Sequence, residues 1–439
     1  MKEQLVTLAL RQSQQAEVYR ARGASTLVHF EANRVKQVEY RQSDSTALRL
    51  VRDGRMGFAA VSGEMPDARL LDMATQTSAF GAPVSLALPG TRRVPAVNIF
   101  DERVASVQTS ALVDIGLHII GRVTSRHPDV VCEGLVVASS GTVRIANSAG
   151  LDSSYPVTAI AVSMEGVRVN GTDMLFVGDS KRSALLMEDT DSVARTMLLQ
   201  LERASRAAAI DTGTYPVLFT PQGVDVALLL PLAVAFNGKN VLEKASRLAG
   251  RRGETVFDSS LTLWDDATLE GRPTSAPFDA EGSPSRPLCL MESGVVGEFL
   301  YDLQTAADSG TESTGSGRRM DARSPVRPGM SAFWFEPGKR TFEELLSSID
   351  RGLVVEELIG AGQGNLLAGD FGGNVLLGYR VEKGEIVGRV KDTMIAGNVF
   401  DVLSRDVVVG SDSRWVGGNL WTPSILCDGV SVSAKGGAA

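Results

Sequence analysis

The chain has 439 residues, of which 43% are hydrophobic and 22% charged, and its formal net charge is −8. This composition is that of an ordinary globular protein with room for two or three domains, and the acidic balance argues against a protein that coats nucleic acid. The three cysteines are widely spaced and form no C-x-x-C pair, which argues against a disulfide scaffold or a zinc knuckle. The first residues lack a signal-peptide pattern and no apolar run approaches the ~20 residues that span a bilayer. We therefore expect a cytoplasmic protein that contacts neither nucleic acid nor membrane.

Helical and strand patterns alternate through the first half of the chain. Apolar residues at helical spacing predict an opening helix over about 2–20, a second over about 109–125, and a third that begins at 189–191. Alternating patterns predict strands at 28–31, 35–40, 134–139 and 143–146, and a hairpin of 46–51 with 57–61 around Asp53-Gly54. The turn residues at 211–213 end the third helix, and we place a domain boundary there.

Beyond this boundary the sequence is rich in glycine and in short apolar runs, which is typical of antiparallel β-structure. One helix is predicted over 342–349. The stretch 308–327 is rich in Ser, Gly and Arg and predicts a mobile loop, and residues 435–439 are expected to fray. The predicted fold class is therefore α+β, with a mixed helix/strand N-terminal domain over 1–210 and a β-rich, largely antiparallel C-terminal domain over 211–439.

A Leu-rich helix is predicted over about 221–236. Thr220 is a suitable N-cap, and Pro221 occupies a first-turn position where its missing N–H removes no helical hydrogen bond. Pro231 lies about ten residues further on, where a proline typically costs ~3 kcal/mol. The helix is therefore expected to end near Leu230 or to bend there. Taken alone, such a helix is most simply interpreted as part of a hydrophobic core.

Short sequence motifs occur in a characteristic order on both sides of this helix. They include the Gly-Arg-x-Gly-Phe turn within 53–58, and the others lie at 16–19, 211–217, 253–258, 264–266, 278–282, 313–316, 369–371, 384–386, 397–398 and 422–424. In the sequence and order of these motifs, the chain resembles the TldD/PmbA family over nearly its whole length. The resemblance implies a metallopeptidase scaffold whose active branch carries His-Glu-x-x-x-His on the helix that corresponds to 221–236.

The metal-binding residues of that motif are missing here. The resemblance places Leu230, Pro231 and Ala235 where the two histidines and the glutamate would stand, and these side chains can neither bind zinc nor act as a general base. The active branch also uses a cysteine near its C-terminal end, and the matching stretch 415–420 has none. Cys427 lies later, in an apolar run, and is interpreted as a buried strand residue. The resemblance therefore implies no catalytic residue, no metal site and no cofactor, and it points to the PmbA branch, also called TldE.

Histidines, cysteines and carboxylates elsewhere in the chain are further candidate metal ligands. His29 lies in a strand pattern and His118 on an amphipathic helix, while His127 precedes a proline and lies near Cys132 in sequence. Structural or surface roles are the better interpretation for all of them. Carboxylates could instead hold Mg²⁺ or Ca²⁺, and the best candidates are Asp265, Asp266, Asp279 and Glu281. For these, turn and cap chemistry is the favoured alternative.

Two further patterns resemble motifs of nucleotide binding or of nucleophilic catalysis. Gly360, Gly362 and Gly364 follow a strand pattern at 353–359, but the next residues contain too much glycine for the helix that a nucleotide site requires. The Ser-Thr-Gly-Ser segment at 313–316 has no nearby histidine to activate a nucleophile. A flexible loop at a subunit or peptide contact is the better interpretation.

These observations predict a non-catalytic PmbA/TldE-like subunit of a TldD/TldE-type metalloprotease complex that acts on unstructured peptides. By resemblance, its partner is a zinc-bearing TldD-like catalytic subunit or a second copy of the chain, and its ligand is an extended peptide. Two alternatives remain open at this point. One is a homodimeric peptide-binding protein without cleavage, and the other is a hydrolase with an unrecognised carboxylate-bound metal.

Overall fold

The computed structural model describes residues 3–435. In the first half of the chain, six antiparallel strands form one sheet: β1 (Gln15–Glu31), β2 (Arg34–Arg52), β3 (Arg55–Ser62), β4 (Val130–Asn147), β5 (Asp152–Asn170) and β6 (Asp173–Ser183). Their order across the sheet is β3-β2-β1-β4-β5-β6. The predicted strand pair and hairpin are both present, since Ala32-Asn33 and Asp53-Gly54 form two-residue turns at positive φ.

Five helices accompany this sheet in the described part of the first half: α1 (Gln4–Ala9), α2 (Asp67–Ser78), α3 (Glu102–Ala105), α4 (Thr109–Thr124) and α5 (Asp191–Arg203). The predicted helix over 109–125 corresponds to α4, which buries Leu112, Ile119 and Val123 against the sheet. The predicted stripe of the third helix is buried in α5 as far as Leu201.

Three predictions in this half are wrong. The third helix ends at Arg203 and not at 211–213, because Ala207 already pairs with Arg389. The opening helix ends at Ala9, because residues from Gln15 onward pair with β2 and β4 instead of continuing it. The strands predicted at 134–139 and 143–146 are a single strand, β4, in which Gly141 pairs with Gly23 on one side and Val157 on the other. Continuous pairing on both sides therefore keeps the Ser-Ser-Gly segment at 139–141 extended.

The second half is mainly β-structure. Its strands are β7 (Gly213–Phe219), β8 (Leu263–Asp266), β9 (Pro287–Glu292), β10 (Val295–Val296), β11 (Gly317–Arg318), β12 (Arg327–Pro328), β13 (Phe333–Phe335), β14 (Arg351–Ile359), β15 (Asp370–Glu382), β16 (Glu385–Arg389), β17 (Thr393–Asn398), β18 (Val408–Val409), β19 (Arg414–Val416), β20 (Leu420–Thr422) and β21 (Ile425–Ala434). One sheet runs β14-β7-β21-β17-β15-β16 with β18 beside β21, a second runs β10-β9-β8-β13-β20-β19, and β11 pairs with β12. Most pairs are antiparallel, as predicted, and the β7–β14 and β13–β20 pairs are parallel.

The helices of this half are α6 (Pro221–Val224), α7 (Leu230–Ala235), α8 (Gly238–Leu242), α9 (Leu303–Asp308), α10 (Phe342–Ser347) and α11 (Val399–Val402), with a π-helical turn at Asp225–Leu229 and 3₁₀ turns at Ala361–Gln363 and Leu366–Ala368. The helix predicted over 342–349 is α10, which a capping box of Thr341 and Glu344 begins. Among residues 3–435, every helix is too short or too polar to cross a lipid bilayer.

The hydrophobic interior contains two large clusters. One lies within the second half and includes Phe219, Phe236 and Phe333. The other joins α4, α5 and the first sheet to residues of β14 and β15, among them Tyr379. The proposed domain boundary near residue 211 stays a prediction, and the fraying predicted at 435–439 falls mostly on residues 436–439, which lie outside the described range.

Candidate functional site

The segment from Thr220 to Ala235 is helical and begins as its sequence predicts. The hydroxyl of Thr220 accepts a hydrogen bond from the backbone N–H of Gly223 (3.2 Å), and Pro221 lies in the first turn. A proline there removes only a donor that would have had no helical partner. The first turn, α6, contacts β7, β14, β19 and β20, whereas α7 lies against the 3₁₀ turn at Leu366–Ala368.

Pro231 neither ends this helix nor needs a loop. The chain passes from α6 through the π-helical turn at Asp225–Leu229 into α7, with Pro231 in the first turn of α7. A π turn pairs each N–H with the carbonyl five residues earlier, and this widening separates the proline ring from the carbonyl that it would otherwise strike. Of the two expected outcomes, the helix does not end near Leu230, and the distortion takes the form of a wider turn.

The three positions that correspond to the metal motif face different surroundings. The side chain of Leu230 is 48% exposed, whereas Ala235 is 2% exposed and belongs to the large core cluster. Pro231 is buried. None of the three carries an atom that binds a metal, and within residues 3–435 no group of three or more His, Cys, Asp or Glu side chains could hold an ion.

A cavity of about 290 Å³ lies beside the first turns of this helix. Gln222 and Asp225 line it from the helix, Glu165 from β5, and Glu356 and Glu357 from β14. Glu356 is fully engaged, since it accepts hydrogen bonds from Gln200 (2.9 Å) and Arg203 (3.1 Å). Asp225 and Glu357 have no such cationic partner among the described residues.

The carboxyl groups of Asp225 and Glu357 are affected by this burial. Desolvation raises the pKa of Asp225 to about 6. Desolvation, and then the neighbouring charge of Asp225, raises the pKa of Glu357 to about 7. At pH values below these pKa values the carboxyl groups are protonated and can donate as well as accept hydrogen bonds. Sequence analysis missed them because an isolated Asp in a helix and a Glu in a strand carry no motif.

The histidines and cysteines do not gather into a site. His118 contacts Asp191 (3.1 Å), and His29 lies 3.8 Å from Glu39 at the exposed part of the first sheet. Cys132 is buried in β4, and Cys427 is buried in β21, as its apolar context predicts. His127 lies just after α4, where its backbone N–H donates to Val123 (2.9 Å).

The four candidate carboxylates for Mg²⁺ or Ca²⁺ have protein partners. Asp265 accepts from the N–H and hydroxyl of Ser331 (2.8 Å each), and Asp266 accepts from the N–H of Thr268 (2.7 Å). Asp279 accepts from the backbone N–H groups of residues 281, 283 and 317, each at 2.9 Å. These are the turn and cap contacts that formed the favoured alternative.

Glu281 belongs to a buried ion network that sequence analysis did not find. The guanidinium of Arg49, on β2, donates to Glu281 and also to Glu17 of β1 (2.8 Å). Arg319 adds a contact to Glu17 at 3.5 Å. The backbone N–H of Leu303 donates to the second oxygen of Glu281 (2.7 Å). The only signal in the sequence was a charged residue, Arg49, within an otherwise apolar strand pattern.

The two remaining motifs have structural roles. Residues 360–369 form two 3₁₀ turns and no long helix follows β14, which agrees with rejecting a nucleotide site. The segment at 313–316 is not the flexible loop that was predicted, since Thr314 and Ser316 are buried. The hydroxyls of Ser313 and Thr314 donate to the carbonyl of Tyr301 (3.2 Å each).

Comparison with known protein families decides the relationship. Residues 212–434 match the model of the PmbA/TldA metallopeptidase C-terminal domain, and residues 16–76 match that of domain 1. The chain belongs to the PmbA/TldD family. The α+β architecture described above is that of the family, as the structural match below shows.

Individual relatives extend this result. A family metalloprotease of Methanothermobacter thermautotrophicus is 29% identical over 273 residues, which cover 61% of this chain and 60% of that protein. An uncharacterized protein of Methanocaldococcus jannaschii is 23% identical over 434 residues, or 98% of this chain and 99% of its own. The crystal structure of TldE from Thermococcus kodakarensis superposes with a TM-score of 0.88 at 24% identity, covering 98% of this chain and 99% of the other. This last match concerns the fold alone.

A catalytic metal is implied by the metallopeptidase name of the PmbA/TldD family, but the residues of this chain do not fit one. Zinc sites in enzymes use three nitrogen, sulfur or oxygen ligands and a general base. The corresponding helix offers Leu230, Pro231 and Ala235, and residues 415–420 contain one tryptophan and two glycines but no cysteine. Asp225 and Glu357 are carboxylates beside this helix, but among residues 3–435 no group of three or more His, Cys, Asp or Glu side chains could hold an ion.

Proposed function

We propose that the chain is a non-catalytic, TldE-like subunit of a TldD/TldE-type metalloprotease complex that acts on unstructured peptides. The observation that supports this proposal is the helix at 221–235, which begins at the Thr220 cap and runs to Ala235 while the motif positions hold Leu230, Pro231 and Ala235. A chain that has the family scaffold over residues 16–434 but lacks the metal ligands would act by associating with a chain that carries those ligands.

The proposed partner is a His-Glu-x-x-x-His relative that carries zinc. This chain would contribute a wall of the substrate cavity and stability, while the partner supplies the metal that polarises the scissile carbonyl. An interface of obligate size, roughly 2,000 Å² or more, is expected because a shared cavity wall needs extensive apolar contact. The alternative is a homodimeric peptide-binding protein, and the co-expression experiment described below distinguishes it from the proposed complex.

The alternative of a hydrolase with a carboxylate-bound metal receives less support. Asp265, Asp266 and Asp279 accept hydrogen bonds from nearby N–H or hydroxyl groups, and Glu281 is paired with Arg49. A divalent cation would have to displace these donors, and the charge of Arg49 would repel it.

The test is to co-express the chain with a His-Glu-x-x-x-His relative from the same genome, measure the mass of any complex, and assay an unstructured peptide with each chain alone and with both. We expect a stable complex and full cleavage only when both chains are present. Equal cleavage by the catalytic chain alone would contradict the proposal and favour the homodimeric binding protein.

A further inference from the structure

A second cavity, of about 600 Å³, lies where the end of β6 and the segment after it meet the β19–β20 pair. Its wall includes four cationic side chains and two indole rings: Lys181, Arg182, Arg272, Arg414, Trp415 and Trp421. Two carboxylates, Glu188 and Asp189, also line it. Positive charge therefore exceeds negative charge within this cavity.

The cations differ in whether the protein neutralises them. Arg414 is paired with Asp179 at 3.1 Å, and Lys181 donates to the backbone carbonyl of Asp189 at 3.2 Å. Asp189 itself is paired with Arg195. Arg182 and Arg272 have no carboxylate within 4.0 Å among residues 3–435. Two guanidinium groups in the same cavity are thus without an anionic partner.

Arg272 is the more informative of these two. Its guanidinium carbon lies 4.4 Å from the centroid of the Trp415 ring, so stacking fixes its position. Within the described chain its one hydrogen bond is from Nε to the carbonyl of Glu270 at 3.4 Å, which leaves the terminal N–H donors free. Burial lowers the pKa of Arg272 because a desolvated cation without a counter-charge is disfavoured. An anionic ligand would remove this penalty.

The rest of the wall indicates what kind of anion fits. Trp415 and Trp421 lie 5.5 Å apart between ring centroids, and Leu186 and Met187 add apolar surface. The hydroxyl of Ser413, also in the wall, has no hydrogen-bond partner in the described structure. A ligand with one negative charge beside an apolar group matches these features. A doubly charged phosphate suits them less, because Glu188 and Asp189 lie in the same wall.

We propose that this cavity binds the C-terminal carboxylate of an extended peptide, with Arg272 and Arg182 as donors and the terminal side chain against Trp415 and Trp421. The identification of the ligand as a peptide rests on the proposed function. The ion pair of Asp179 and Arg414 separates this cavity from the one beside the helix, and Gln222 of α6 donates to Asp179 (3.1 Å).

The test uses the isolated chain and two N-acetylated tripeptides of sequence Ala-Ala-Phe, one with a free carboxylate and one with a C-terminal amide. Isothermal titration calorimetry should show that the free acid binds at least about tenfold more tightly, since charge-assisted hydrogen bonds are lost in the amide. Arg272→Met should weaken the free acid by roughly tenfold. Arg182→Met, at an exposed side chain that the fold does not need, should weaken it in the same direction.

Arg247→Met is the matched control. Arg247 also stacks on an aromatic ring, 4.6 Å from the centroid of Phe400, but lies outside this cavity. It should leave the affinity unchanged. Equal binding of acid and amide, no binding of either peptide, or binding of inorganic phosphate as tight as that of the acid would each overturn the proposal. Because no partner chain is present, failure here is distinct from failure of the proposed function, which the co-expression assay reports.

Discussion

The guanidinium of Arg49 donates to the carboxylate of Glu281, a residue 232 positions further along the chain, and both side chains are almost completely buried. The same guanidinium holds Glu17, so one cation on β2 neutralises two carboxylates. This contact ties the first sheet to the loop after β8 and explains two of the segments that gave the family resemblance, 16–19 and 278–282. In both segments a buried glutamate, Glu17 or Glu281, pairs with Arg49.

We expect Arg49→Met to destabilise the protein strongly, by about 3–5 kcal/mol, because it leaves two buried carboxylates without their counter-charge. Urea unfolding followed by circular dichroism measures this. The matched control is Arg41→Met on the same strand, where Arg41 pairs with Glu39 at the surface. That change should leave the urea midpoint nearly unaltered. Equal effects of the two substitutions would mean that the buried network contributes no more than a surface pair.

Asp225 and Glu357 should make stability depend on pH. Burial raises the pKa of Asp225 to about 6 and that of Glu357 to about 7, above the values expected in the unfolded chain. The folded state therefore holds more protons, and the stability from these groups is present at low pH and lost as pH rises through about 4 to 7.

Asp225→Asn should remove part of this dependence. Relative to the native chain, the variant should gain about 1–3 kcal/mol of stability between about pH 4 and pH 8, since it has no carboxyl to ionise. Unfolding midpoints across that range test it. Asp114→Asn, at an exposed position on α4, is the control and should show no such trend. A constant difference between Asp225→Asn and the native chain at all pH values would refute the assignment.

Two glycines in α4 should respond in opposite ways to alanine. A Cβ at Gly116 would lie 2.1 Å from the ring of Phe30, whereas one at Gly121 would meet nothing within 4 Å. Gly121→Ala should therefore stabilise the protein by about 0.5–1 kcal/mol through helix propensity. Gly116→Ala should destabilise it by about 1–3 kcal/mol, because overpacking outweighs that gain. Thermal unfolding of the pair measures both, and stabilisation by Gly116→Ala would show that Phe30 can move aside.

The triple substitution Leu230→His, Pro231→Glu and Ala235→His should not produce a zinc enzyme. The third ligand and the groups that orient the histidines are missing, and Ala235 is 2% exposed, so a histidine there would overpack the core. Elemental analysis after dialysis should find far less than one zinc per chain, both for the native protein and for the variant. About one chelator-removable zinc per native chain would contradict this prediction.

Local signals in the sequence were sufficient for the elements that depend on neighbouring residues. The hairpin at Asp53-Gly54, the stripe of α4, the Thr220 cap and the helix over 342–349 were predicted, because turn conformation, helical periodicity and capping are decided within a few residues. The loss of metal ligands at Leu230, Pro231 and Ala235 was also readable from the sequence, since it concerns residue identity alone.

Tertiary structure decided the features that depend on distant partners. Gln15–Arg20 is a strand because β2 and β4 pair with it, and the helix passes Pro231 through a π turn within a packed core. Arg272 meets Trp415, and Asp225 meets Glu357, across more than 100 residues of chain. Periodicity and spacing carry no information about such contacts, since burial and charge pairing arise only when the separate elements pack together.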